Sequence, residues 1–104
     1  MKKSIPASAL AYPMMVEMIG TYDEDGTPNL MNAAWGGQLT TDLFVLSLSK
    51  DHKTVENILA RKAFTIGFPR ARDAVDCDYV GIVSGNEVKD KVARTSFHPR
   101  KSEV

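Results

Sequence analysis

An α+β or mainly β fold, with a mostly antiparallel sheet and two to three helices, is predicted by three features of the sequence. Two extended runs flank a short turn that contains glycine. A third, nearly all-apolar run follows, and a helical period appears only after it. Strands joined by hairpins ahead of the helices favour such a sheet over the alternating order of a parallel one.

The elements follow in chain order. Met14 to Tyr22 alternates, with Val16, Met18, Gly20 and Tyr22 on one face, and ends in the turn cluster Asp23 to Gly26. Gly26 can take positive φ without steric cost. Pro28 opens a second run, Asn29 to Ala34, so the two read as a β-hairpin. Trp35-Gly36-Gly37 breaks that run, and Leu43 to Ser49 is the clearest strand. Val55, Ile58, Leu59 and Lys62 keep helical spacing, with Glu56, Asn57 and Arg61 opposite, and Asp51 or Thr54 can cap the start. Phe64 to Phe68 reads as a short strand stopped by Pro69. Val75, Tyr79, Ile82 and Val83 then share one helical face, ending at Ser84-Gly85-Asn86. A short polar helix is expected over Val88 to Arg94. The order is β-β-β-α-β-α, with no internal repeat, low-complexity segment or linker.

The 104 residues make one domain, residues 1–104, and 43% apolar content is enough for one modest core. So short a chain buries only about 60–70% of its unfolded surface, so a partner subunit is a natural support. Thirteen basic residues balance thirteen acidic ones, which argues against a nucleic-acid binder. The longest apolar runs fall far short of the ~20 residues of a membrane span. Cys77 is the single cysteine, which excludes an intrachain disulfide and a cysteine-cluster zinc site. A reducing cytoplasm is the natural compartment.

Two stretches carry chemistry. Ser47 to Thr54 (SLSKDHKT) brings hydroxyls, lysines and a histidine to a helix start, where unpaired N–H groups and the positive dipole end lie. That set suits a phosphate monoester; an ordinary capped helix with a solvated basic first turn competes with it. Asn32 to Gly37 (NAAWGG) ends a strand with small residues, an aromatic and two glycines, which lets a flat heteroaromatic ring approach the backbone. A core tryptophan in a bend reads the same residues as structure alone. Cys77 lies between Asp76 and Asp78, which blunt its nucleophilicity, so it is read as a packing residue. His52 and His98 have no neighbours at ligand spacing, and there is no Walker loop, dinucleotide fingerprint or nucleophile elbow.

In combination these stretches resemble the flavin-reductase-like (flavoredoxin) family of FMN-binding split barrels. The resemblance rests on Ala9 to Met14, Ile19 to Gly26, Pro28 to Gly37 and Leu46 to Thr54, with Glu56 to Ile58, Arg61 to Phe64 and Asp78 to Gly85, in the family's order and spacing. The pairing of NAAWGG with HKT at the helix start is its most specific part. The resemblance implies a split-barrel-like fold binding FMN, with Asn32, Ala33, Ala34 and Trp35 along the isoalloxazine and ribityl parts. It places Ser47, Ser49, His52, Lys53 and Thr54 around the phosphate, and Asp78 to Gly85 near the ring or the dimer seam.

It implies a homodimer with flavin at the subunit interface and, as electron partner, NAD(P)H or a redox protein. No acid or base catalyst is needed, because the cofactor carries the chemistry. Family members continue past the point matching Val104 into strands that complete the barrel, so an incomplete barrel is expected here. Two functions stay open: electron transfer or NAD(P)H-dependent flavin reduction, and a non-catalytic FMN or small-ligand binding module or inactive dimerising fragment.

Overall fold

Gly26 holds φ at +87°, a conformation that a side chain disfavours, and it closes the first turn. The Gly26 N–H donates to the Asp23 carbonyl (3.0 Å) and the Asp23 N–H to the Thr27 carbonyl (2.9 Å). The computed structural model describes residues 1–7 and 13–104; Ala9 to Tyr12, part of one stretch of the family resemblance, lie outside them. On either side of the turn run β1 (Glu17–Tyr22) and β2 (Pro28–Ala33), antiparallel from Tyr22 opposite Pro28 to Glu17 opposite Ala33. The expected hairpin is present.

Five further strand and helix segments and one 3₁₀ turn complete the described structure up to residue 82. They are β3 (Gly36–Gln38), β4 (Phe44–Leu46), α1 (Lys53–Arg61), β5 (Thr65–Gly67), the 3₁₀ turn Ala71–Asp73 and α2 (Ala74–Ile82). One sheet has the order β2-β1-β5, and β3-β4 forms a second. Every pairing is antiparallel, with Ile19 opposite Ile66 and Gly36 opposite Leu46. The α+β, mainly antiparallel expectation therefore holds, with one strand more than the sequence order gave. That strand is β3: Gly36 and Gly37 do not break the chain but pair with β4.

The core gathers Ile19, Met31, Cys77, Val80 and Val92. On β1 the buried face is Glu17, Ile19 and Thr21, leaving Met18, Gly20 and Tyr22 half-buried on the other. The clearest expected strand shrinks to Phe44–Leu46, with Leu43 and Val45 about half exposed. An apolar run forms a strand only where a neighbour supplies the ladder, and β3 supplies three residues of it.

Both helices dock by faces that the apolar period did not indicate. On α1 the buried residues are Thr54 and Asn57, while Leu59 is 63% exposed. The hairpin beneath offers Thr21, Asp23 and Asn29, and buried polar groups settle where partners exist. On α2 Cys77 and Val80 point inward, whereas Val75 and Ile82 are exposed. There the Asn32 side-chain amide donates to the Cys77 carbonyl (2.7 Å). Gly81 lies so close to Asn32 that a β-carbon on it would overlap that amide.

Caps differ as well. His52, not Asp51 or Thr54, is the N-cap of α1, with extended backbone and no side-chain bond to the first turn. Helix α2 stops at Ile82, ahead of Ser84-Gly85-Asn86. Val88 to Arg94 forms a run of turns rather than a helix.

Candidate functional site

The two chemistry-bearing stretches lie side by side. Beyond the Gly36–Leu46 pair, the Ser47 N–H donates to the Trp35 carbonyl over 2.7 Å. The strand that carries Asn32 and Ala33 thus runs through Ala34 into Trp35, and Trp35 meets the head of the loop to α1. Trp35 is 56% exposed, so it is not a core tryptophan. Ser47 and Ser49 are exposed, and the His52 N–H donates to the Ser49 carbonyl (3.3 Å).

At the start of α1 the Val55 and Glu56 N–H groups are taken by the His52 carbonyl. Those of Lys53 and Thr54 precede the first helical bond, as at any helix start. His52 Nδ1 is buried and has no hydrogen-bond partner among the described residues, an unmet group that a bound anion's oxygen or proton could satisfy.

Two of the expected phosphate groups are engaged elsewhere. Lys53 Nζ donates to Glu24 (2.9 Å) and lies 3.9 Å from Glu56. Its bond to Glu24 holds the ammonium pKa above the ordinary lysine value, and the same bond lowers that of Glu24. Thr54 is 1% exposed, and its hydroxyl accepts from the Asn29 amide at 2.9 Å. Asn32, expected along the ring, spends its amide donor on the Cys77 carbonyl.

Lys91 was not singled out from the sequence, where it sits in a mixed-charge run that reads as solvated. It is 3% exposed, and its Nζ donates to the carbonyls of Val80 (3.1 Å) and Val83 (3.0 Å) at the end of α2. Burial pushes its pKa down to about 8, against the opposing pull of Asp23. His52, Lys53, Met31, Ser84, Gly85 and Lys91 border one cavity of about 120 Å³. Gly85 permits this approach, because a β-carbon there would lie 2.6 Å from Asn29 Oδ1 and 3.1 Å from Lys53 Cγ. Whole-ligand pockets typically measure about 300–1,000 Å³, so this cavity suits a small anionic head and not an entire cofactor.

Among the described residues no cluster of three metal-ligating side chains occurs, and no helix is long and apolar enough to cross a membrane. The arrangement is thus an aromatic strand end joined to a lysine-bearing helix start by the Ser47–Trp35 bond, carried by antiparallel sheets with two helices.

That is the layout of a split-barrel domain of the flavin-reductase-like class. Residues 9–104 match the family model described as "Flavin reductase like domain", and the chain belongs to this family. It is similar to the flavoredoxin of Desulfovibrio vulgaris (Miyazaki F), with 42% identity and a TM-score of 0.89 over 99% of this chain and 57% of that one. The flavoredoxin of Methanosarcina acetivorans is 28% identical (TM-score 0.81; 99% and 54% of the two chains). An FMN-binding protein of Thermus thermophilus, solved with bound 1-cyclohex-2-enone, is 25% identical (TM-score 0.73; 89% and 53%). The chain therefore spans a little over half the length of these structures. No curated protein is significantly similar to it.

Proposed function

We propose that residues 1–104 form a flavin-reductase-like domain that binds FMN for electron transfer or NAD(P)H-dependent flavin reduction, as a cytoplasmic homodimer. The observation that carries this reading is the unpartnered His52 Nδ1 at a helix start, in a loop whose head, Ser47, is bonded to Trp35. FMN, when bound, supplies the redox chemistry through its isoalloxazine ring.

The chain's own residues bind and orient. Ser47, Ser49, His52 and the first-turn N–H groups of Lys53 and Thr54 hold the phosphate. The Lys53 and Lys91 ammoniums add positive charge from behind, since charge acts at the helix start without direct contact. Asn32, Ala33 and Ala34 offer a low-relief strand edge to the ring, and Trp35 covers one side of it. The Thr54 hydroxyl acts indirectly, by tying α1 to Asn29.

A second reading has support of its own. Lys53 and Thr54 are committed to Glu24 and Asn29, and the cavity is small, which favours a non-catalytic FMN or small-ligand module. An absorption spectrum separates the two. Purified yellow protein that bleaches with NADH or NADPH is a reductase. Yellow protein indifferent to both is a carrier for another donor or a binder. Colourless protein that takes up no FMN removes the flavin reading.

A further inference from the structure

Glu17 heads β1 with zero exposure, and neither of its carboxyl oxygens has a hydrogen-bond partner among the described residues. An ionised carboxylate in such a place is costly unless a cation or several donors face it. No charge does so. Strands β2, β3, β4 and β5 carry no titratable side chain. On α1, Lys53 and Glu56 face each other and Glu24, and Arg61 donates to the Asp23 carbonyl. On α2, Asp76 accepts from Ser96, and Cys77 lies against Asn32.

The carboxyl has one distinctive neighbour. A β-carbon built on Gly36 would lie 2.6 Å from the Val45 carbonyl oxygen, 3.0 Å from Leu46 Cδ2 and 3.3 Å from Glu17 Oε1. All three therefore converge on the open face of Gly36, at the seam between the two sheets. A protonated carboxyl there has the Val45 carbonyl as an acceptor within its neighbourhood, whereas a carboxylate would be repelled by it.

We propose that Glu17 is a proton-operated latch: protonated, it seats the β3–β4 hairpin on the main sheet through Gly36, and ionised, it turns to water and loosens that hairpin. The hairpin yields rather than β1, because β1 is laddered to β2 on one side and β5 on the other, whereas among the described residues β3–β4 pairs only with itself. The direction agrees with the effect of burial, which raises the Glu17 pKa above 4.5. Trp35 stands at the link between the sheets, so a flavin edge placed there by the reading above would feel the same proton. The test needs no flavin and stands apart from that reading.

Trp35 is the single tryptophan and reports the hairpin directly. In flavin-free protein its emission is expected to follow a one-proton titration as pH rises from 4.5, and Glu17→Gln is expected to keep the low-pH emission throughout. Relative to that variant, the wild-type unfolding equilibrium constant should rise by up to about tenfold per pH unit until the folded-state pKa is passed. The histidines remain in both proteins and cancel. An identical emission titration in Glu17→Gln, or none in the wild type, overturns the latch. If Glu17→Gln does not fold, Glu17→Leu takes its place, and the carboxyl ¹³C shift of wild-type Glu17 decides: a midpoint at 4.5 overturns the proposal.

Discussion

Asn57 donates its side-chain amide to the Asp23 carboxylate over 2.8 Å, and the same nitrogen reaches Thr21 Oγ1 at 3.0 Å. All three residues are buried, so the contact between α1 and the first hairpin is polar at its centre. Removing one partner leaves a buried carboxylate short of a donor, which costs about 1–3 kcal/mol. Asn57→Ala is therefore expected to lower the urea midpoint by that much at unchanged slope. Leu59→Ala, on the exposed side of α1, should stay within about 0.5 kcal/mol. The reverse ranking would mean that the apolar face is the docked one.

That pair also marks how far the sequence could be read. The hairpin was legible because Gly26 and its acidic neighbours have one good use, and both helices were legible from their period. Their orientation was not. Periodicity locates an apolar stripe and assumes that it faces the core, but Thr21, Asp23 and Asn29 set a polar docking surface that no pattern within α1 can reveal. The candidate site divides in the same way. Trp35 and Ser47 were named from their separate motifs, yet their adjacency depends on β3, which two glycines hid. Lys91 had no signal at all, because its burial is decided by the carbonyls of Val80 and Val83 eleven and eight residues away.

The loop at the start of α1 gives the test of phosphate binding. Lys53 is ion-paired with Glu24, so its charge is partly neutralised where a phosphate would sit. Lys53→Ala is expected to weaken FMN by roughly two- to fivefold while leaving riboflavin little changed, because a charge that acts at a helix start without direct contact contributes about 0.3–1 kcal/mol. Glu24→Gln, which releases the ammonium, should move FMN affinity the other way. Flavin fluorescence titrations read both. Equal loss of FMN and riboflavin would place the phosphate elsewhere.

Gly81 bears on the opposite wall. Its missing side chain lets α2 approach Asn32, and Gly81→Ala would push the Asn32 amide off the Cys77 carbonyl. Overpacking of this kind costs about 1–3 kcal/mol. Thermal unfolding should show the loss, and flavin content should fall with it, because Asn32 borders the proposed ring site. Unchanged stability would show that α2 has slack against β2.

Lys91 predicts a pH dependence. Its folded pKa of about 8 lies below the ordinary 10.5, so between those values the unfolded chain binds more protons than the folded one. Stability therefore rises with pH across that window. The neutral amine keeps two donors for the Val80 and Val83 carbonyls, so the bonds survive deprotonation. Lys91→Met should lose this rise and also leave both carbonyls unmet, a cost of about 1–3 kcal/mol. Tyr22, whose pKa is lowered by its bond from the Ser102 N–H, contributes in the same direction but is common to both proteins. Parallel urea-midpoint profiles from pH 8 upward would remove the assignment to Lys91.

The last prediction concerns assembly. Trp35, Leu39, Leu43 and Val45 expose 46–64% of their surface on and around one short hairpin, and among the described residues β4 has no strand on its outer side. An open edge with apolar side chains invites pairing with another chain. A two-fold contact would cover the same residues in both copies, the exposed Trp35 included. The expected result is a dimer at micromolar concentration by sedimentation, with an apolar interface of roughly 2,000 Å² or more in total. Val45→Glu should shift the equilibrium to monomer by placing a carboxylate at the centre of that contact, and flavin retention should fall in step. A well-folded wild-type monomer would show that the hairpin's apolar side chains are tolerated in water and that the site is complete within one chain.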